Sequence, residues 1–234
     1  MRVVIATWVF LEVFVCQPAH ATVLEVIAVE YPPYTTPTRP DDGLVFRELR
    51  IWVAERNLPY TIRARFLPPA RAQHAVDAGD WCIALYPPAA STPHVSHRIG
   101  DASIAIGLVR KNQKGPFTWS SAAEFRGKRI ALLRSITLSD YWLPFERAGA
   151  EFVFVESMEQ ALGMLAKDRV DFSVADQAGL DQFKAKYPEA ETLELSEKSI
   201  QEYPLSIFLS NRCRDLLGPE TEKGADEDAA PLQN

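Results

Sequence analysis

The sequence predicts an α/β fold organised as two lobes, and three observations lead to that reading. Short apolar runs alternate with amphipathic stretches of helical period in two separate series, over residues 23–86 and 129–187. A polar break, Lys111-Asn-Gln-Lys-Gly-Pro116, lies between them. One more apolar run, Pro204-Leu-Ser-Ile-Phe-Leu-Ser210, follows the second series and can carry the chain back to the first. Alternating β-α-β units call for a mixed, mostly parallel sheet in each lobe with helices on its faces. Two lobes joined by two crossings can open and close around a ligand.

In chain order, residues 1–21 read as a secretory signal peptide. Arg2 precedes the apolar run Val3 to Val15, and Ala19-His-Ala21 gives an Ala-x-Ala cleavage pattern. Val15 is bulky where a lipid-modified cysteine would follow a small residue, so Cys16 does not read as a lipid anchor. The first lobe is expected over 22–107. Val23 to Val29 is its first strand, ended by the rigid corner Tyr31-Pro-Pro-Tyr34. An amphipathic helix follows over 43–57, with apolar residues at 45, 49, 52 and 53 and with Asp41 and Asp42 placed to cap its start. Tyr60 to Phe66 is the next strand, Ala70 to Ala78 a short helix, and Cys82 to Tyr86 a third strand. Residues 87–98, rich in Pro, Ser and His, read as a loop, and Ala102 to Val109 as a long apolar strand.

The second lobe is expected over 108–200. Its strands are Arg129 to Leu133, Phe152 to Val155 and Val170 to Ala175, alternating with helices Leu138 to Ala148, Met158 to Lys167 and Gln177 to Tyr187. Residues 201–217 return a strand to the first lobe, and the acid-rich 218–234 reads as a disordered tail. The crossings near Ala105 to Val109 and Tyr203 to Ile207 are the expected hinge.

Composition narrows the function. A 47% hydrophobic content in 234 residues supports a sizeable core. The net charge of −6, with no Lys/Arg cluster, argues against a nucleic-acid partner. Once the signal is removed, Cys82 and Cys213 remain, a pair that an oxidising compartment would allow to bond. Cys82 lies inside the apolar run Trp81 to Tyr86 and reads as a free, buried thiol. His94-Val-Ser-His97 has metal-like spacing without a third ligand nearby and reads as a solvated pair, so no metal or cofactor is expected. The sequence contains no Gly-x-Ser-x-Gly elbow, phosphate loop, dinucleotide fingerprint or Cys-x-x-Cys pair.

Six phrases in order resemble the family-3 extracellular solute-binding proteins, the periplasmic components of polar amino acid importers. They are Tyr31-Pro-Pro-Tyr34, the helix after Gly43, Leu67-Pro-Pro-Ala-Arg71, Gly107-Leu-Val-Arg-Lys111, Phe125-Arg-Gly-Lys-Arg-Ile-Ala131 and Ala161 to Asp176. The resemblance implies the periplasmic binding protein type II fold and a small polar solute held between the lobes. It implies a monomer that hands its cargo to a membrane ABC permease. The implied ligand-binding residues are Tyr31, Tyr34, Arg71 and Tyr86 on the first lobe. On the second lobe Arg134, Ser135 and Thr137 stand at a helix start whose free N–H groups suit a carboxylate, with ordinary N-capping by Ser135 or Thr137 the alternative, and the resemblance turns Asp176, otherwise a helix N-cap, toward the ligand's ammonium group. Two departures stand out. Ala90-Ser-Thr-Pro-His-Val-Ser-His-Arg98 lacks the family's Thr-x-x-Arg arginine in register, leaving Arg98 or Arg71 as its replacement, and the chain turns acidic at Gly218 where relatives continue with about two helices. Alternative readings on the same fold are a sensory module docked on a receptor, and a dehydratase using Asp176 or Glu30.

Overall fold

The computed structural model describes residues 22–89, 91–134 and 139–217. The signal peptide and acidic tail read from the sequence, together with Ser135, Thr137 and the first residue of the helix expected from Leu138, lie outside the described residues.

The first lobe is built from β1 (Thr22–Ala28), α1 (Leu44–Glu55), β2 (Tyr60–Phe66), α2 (Pro69–Asp77) and β3 (Ile83–Ala84). A long strand, β4 (His94–Lys111), leads out of it. The second series runs β5 (Arg129–Leu133), α3 (Leu143–Ala148), β6 (Glu151–Val155), α4 (Met158–Ala166), β7 (Phe172–Ala175) and α5 (Gln177–Lys186). The chain then returns along β8 (Leu193–Ser210). The strands form one curled sheet in the order β2-β1-β3-β8-β4-β7-β5-β6. β1 pairs in parallel with β2 and β3, and β5 with β6 and β7, while β4 and β8 run antiparallel to each other through the middle. Each lobe is thus a parallel unit, and the paired long strands join them.

Both faces of each unit are covered, as parallel strands require. Along β1, Leu24, Val26 and Ala28 pack with Phe46, Leu49 and Trp52 of α1, whereas Ile27 and the following Val29 pack with Ala72 and Val76 of α2. In the second lobe Ala161, Leu162, Leu165 and Leu180 fill one face, and an aromatic cluster of Phe117, Trp119, Phe125, Trp142 and Phe145 fills the other.

The two central strands are irregular where they cross between lobes. Their register shifts between Arg98 and Ser103 and again on either side of Gly107. A Cβ at Gly107 would lie 2.8 Å from the Ser196 hydroxyl and 3.1 Å from the Leu195 side chain, so both side chains would have to shift to admit one. Ser196 mends the ladder at this point: its hydroxyl accepts from Leu108 N at 3.1 Å and donates to the Lys198 carbonyl at 2.7 Å.

Four expectations are corrected. Residues 94–98 are strand, not loop, because residues 206–210 of β8 lie opposite and satisfy their backbone. β8 begins eleven residues before the apolar run that marks it, since its half facing the second lobe is polar and half-exposed. Asp41 and Asp42 do not cap α1; its N-cap is Gly43, with no side-chain hydrogen bond. Finally, Cys82 is not a free thiol but is bonded to Cys213, with Cα atoms 5.2 Å apart. Antiparallel pairing of Ile83 with Leu209 sets the turn after β8 beside the start of β3, which brings the two sulfurs together.

Candidate functional site

The site is built on the corner that ends β1. Tyr31 N donates to the Thr35 carbonyl at 2.7 Å and Thr35 N to the Tyr31 carbonyl at 3.1 Å, closing a tight loop around a cis Pro32-Pro33 peptide. The buried Thr35 hydroxyl ties the loop to the Val29 carbonyl at 2.7 Å. The corner also supplies what the aspartates do not. The carbonyls of Pro33 and Tyr34 accept from Leu44 N at 3.2 Å and Val45 N at 2.9 Å, satisfying the first donors of α1. Helix and corner are therefore locked together.

Tyr31 and Tyr34 project side by side, with ring centroids 6.1 Å apart and planes 23° from parallel. Tyr34 packs on the first lobe's core, whereas Tyr31 reaches across to the cluster of the second. There stands Asp176, 2% exposed, between β7 and α5. Its Oδ1 caps α5, accepting from Gly179 N at 3.1 Å, and accepts from the Tyr34 hydroxyl at 3.3 Å. Its Oδ2 is buried and has no hydrogen-bond partner among the described residues, and the same is true of the Tyr31 hydroxyl. Among the described residues no cation pairs with Asp176, whose carboxyl is absent from every ion pair.

Electrostatics follow from this burial. Desolvation first, and the Asp176 charge second, push the Tyr31 hydroxyl well above its ordinary range. The same two causes, in the same order, raise Tyr34 to about 12.

Tyr86, just past β3, is half-buried and belongs to a different cluster, where desolvation and then Tyr141 push it up to about 12. The Tyr203 hydroxyl on β8 donates to that of Tyr141 at 2.8 Å, with the rings edge to face at 6.4 Å. Sequence reading missed Tyr141 and Tyr203, which are separated by 62 positions; an isolated tyrosine in a helix start or a polar strand carries no signal of a site. Arg71 is exposed on the first turn of α2. Arg134, at the exit of β5, pairs with Glu156 at 2.6 Å, both about half exposed. Arg98 lies on β4 opposite Ser206, exposed, with Nε donating to the Gly100 carbonyl at 3.2 Å. The structure thus brings Tyr31, Tyr34 and Asp176 together and leaves Arg71 and Arg134 on the surface. A separate cavity of about 460 Å³, lined by Glu30 and Pro32 with Met158, Gln160, Phe183 and Tyr187, adjoins this corner without including the three residues.

A tyrosine is neutral when protonated, so a raised pKa in the folded state contributes stability in full below pH 10, and that contribution is lost as pH climbs through the folded value. Alkaline titration of phenolate absorbance is expected to show Tyr34 and Tyr86 ionising near pH 12, two units above the ordinary 10. All seven tyrosines titrating together near 10 in a still-folded chain would contradict the burial described here.

No protein-family model matches the sequence, and comparison with curated proteins returns no match. Solved structures do match. The GluR0 ligand-binding core in complex with L-glutamate superposes with a TM-score of 0.63 at 18% identity, over 86% of this chain and 88% of that one. A histidine kinase sensor domain with similarity to periplasmic binding proteins gives 0.62 at 15%, over 86% and 87%. Holo ArgBP from T. maritima gives 0.61 at 15%, over 85% and 87%. The chain therefore has the two-lobed periplasmic binding protein fold, with Tyr34 and Asp176 in contact across its lobes.

Proposed function

We propose that this chain is an exported solute-binding protein that closes on a small solute bearing an ammonium or guanidinium group and delivers it to an ABC importer. The observation that carries the reading is Asp176 Oδ2, buried and without a hydrogen-bond partner among the described residues, with the buried Tyr31 hydroxyl close enough to feel its charge. An unmade hydrogen bond on a buried polar atom costs about 1–3 kcal/mol, and more on a charged one. A ligand N–H donor placed between the two oxygens removes that cost in a dry site, where charge-assisted hydrogen bonds are strong.

The remaining parts fit this role. Tyr31 and Tyr34 offer flat apolar area beside the cation. The Tyr34–Asp176 hydrogen bond links the lobes, so opening must break it and ligand contacts must favour closure. The bulged crossing around Gly107 is the natural hinge. Export rests on the Ala19-His-Ala21 pattern, and delivery to a permease on the family resemblance. A sensory role is the second reading, supported by the likeness to a kinase sensor domain.

A thermal-shift screen of residues 22–234 against amines, guanidines, amino acids, organic acids and peptides tests the proposal, because a solute that binds only the folded chain raises its melting temperature. Cationic solutes are expected to raise it. A rise confined to anions would overturn the proposal.

A further inference from the structure

Strands β1 and β3 are parallel neighbours, and their carboxyl ends lead to Tyr31 and Tyr34 in one case and Tyr86 in the other. Strands β7 and β5 are likewise parallel neighbours, and beyond their carboxyl ends come Asp176 and Tyr141. In open α/β folds ligands lie at the carboxyl ends of strands. Tyr34 is hydrogen-bonded to Asp176 across the lobes; separately, antiparallel pairing of Ala84 with Phe208 carries Tyr86 toward Tyr203, whose hydroxyl bonds Tyr141. This second group is phenolic. Tyr141 accepts from Tyr203 at 2.8 Å, which fixes its oxygen and leaves its own proton to donate. Tyr86 is half-buried and takes part in no hydrogen bond between described residues, so its hydroxyl also remains to donate. The neighbouring charged group is an acid: Asp77 reaches Tyr86 electrostatically while accepting from Ala89 N at 3.3 Å and the Thr92 hydroxyl at 3.1 Å. Hydroxyl donors beside a carboxylate suit a neutral oxygen and oppose an anion.

We infer that Tyr86 and Tyr141 form a second, uncharged pole of the cleft, with Tyr203 positioning Tyr141. The solute then carries a cation at one end and a neutral hydroxyl or carbonyl oxygen, not a carboxylate, at the other. This rests on the proposed function, since it assigns the other end of the solute that Asp176 anchors.

The test is calorimetric titration with three series of primary amines in butyl, pentyl and hexyl lengths, differing only at the far end: methyl (alkylamines), hydroxyl (aminoalcohols) and carboxylate (amino acids with terminal amines). Within at least one length the aminoalcohol is expected to bind about fivefold tighter than the alkylamine, the scale of one neutral hydrogen bond, and the carboxylate to bind weakest. Tyr141→Phe should erase the hydroxyl advantage, so that aminoalcohol and alkylamine of one length bind alike, and Tyr203→Phe should reduce it. A merely structural role for these tyrosines would move all three series together. Tyr86→Phe serves the same comparison if Tyr141→Phe does not fold. Tightest binding by the carboxylate series, or an alkylamine equal to its aminoalcohol at every length, would overturn the second pole while leaving the Asp176 anchor standing. Binding by none of the three would overturn the anchor, and this inference with it.

Discussion

Removing the Cys82–Cys213 bond, by reduction or by replacing both residues with serine, should lower the melting temperature by about 10 °C. The bond joins positions 131 apart. Closing so long a loop removes much of the unfolded chain's freedom, and the chain-entropy treatment puts the upper value near ~5 kcal/mol. For a chain of this size each kcal/mol moves the midpoint by about 2–4 °C. The bond holds the residues after β8 against the start of β3, where Ser210 N also donates to the Cys82 carbonyl at 3.0 Å. Its loss should therefore act on the first lobe. Thermal melts with and without reductant check this, and an unchanged midpoint would show that the β3–β8 pairing alone holds that edge.

Gly43→Ala should cost about 3 kcal/mol or more and weaken ligand binding as well. Gly43 has φ 103° and ψ 174°, a region essentially reserved for glycine. A Cβ there would lie 2.5 Å from the Tyr34 carbonyl oxygen and 2.8 Å from its carbon, both backbone atoms that cannot swing aside. The same carbonyl accepts from Val45 N, so relieving the clash must part the corner from α1 and displace the Tyr34 ring. Denaturant unfolding reads the stability loss, and titration with a bound solute reads the site. A variant as stable as the parent would mean that the corner is not locked to the helix.

The alternating apolar runs made both β-α-β series legible, because inner strands such as β1 and β5 are short and apolar on both faces, while the edge strand β2 alternates Ile62 and Ala64 with exposed arginines. What escaped was set by partners distant in sequence. The polar half of β8 is a strand because β4 lies beside it, and His94 to Arg98 are strand for the same reason. The disulfide depended on a register between β3 and β8 that no spacing encodes. In the site, the Tyr31–Tyr34 corner and Asp176 carried local signals, a proline-ended strand and a strand-to-helix aspartate. Arg134 carried the same kind of signal, yet its partner Glu156 lies on the adjacent strand's exit and draws it to the surface. The Tyr141–Tyr203 bond joins two elements that only the folded sheet brings together.

The central claim is that Asp176 anchors a cation between the lobes, and the most direct test is to titrate one cationic solute into the parent chain and into Asp176→Asn side by side. Asparagine keeps the side-chain oxygen that caps α5, so the melting temperature should stay close to the parent's. Affinity should fall about 30-fold, corresponding to ~2 kcal/mol for a hydrogen bond to a charged group. Equal affinity in a variant that melts with the parent would contradict the account, because the buried carboxylate would then have no part in holding the solute.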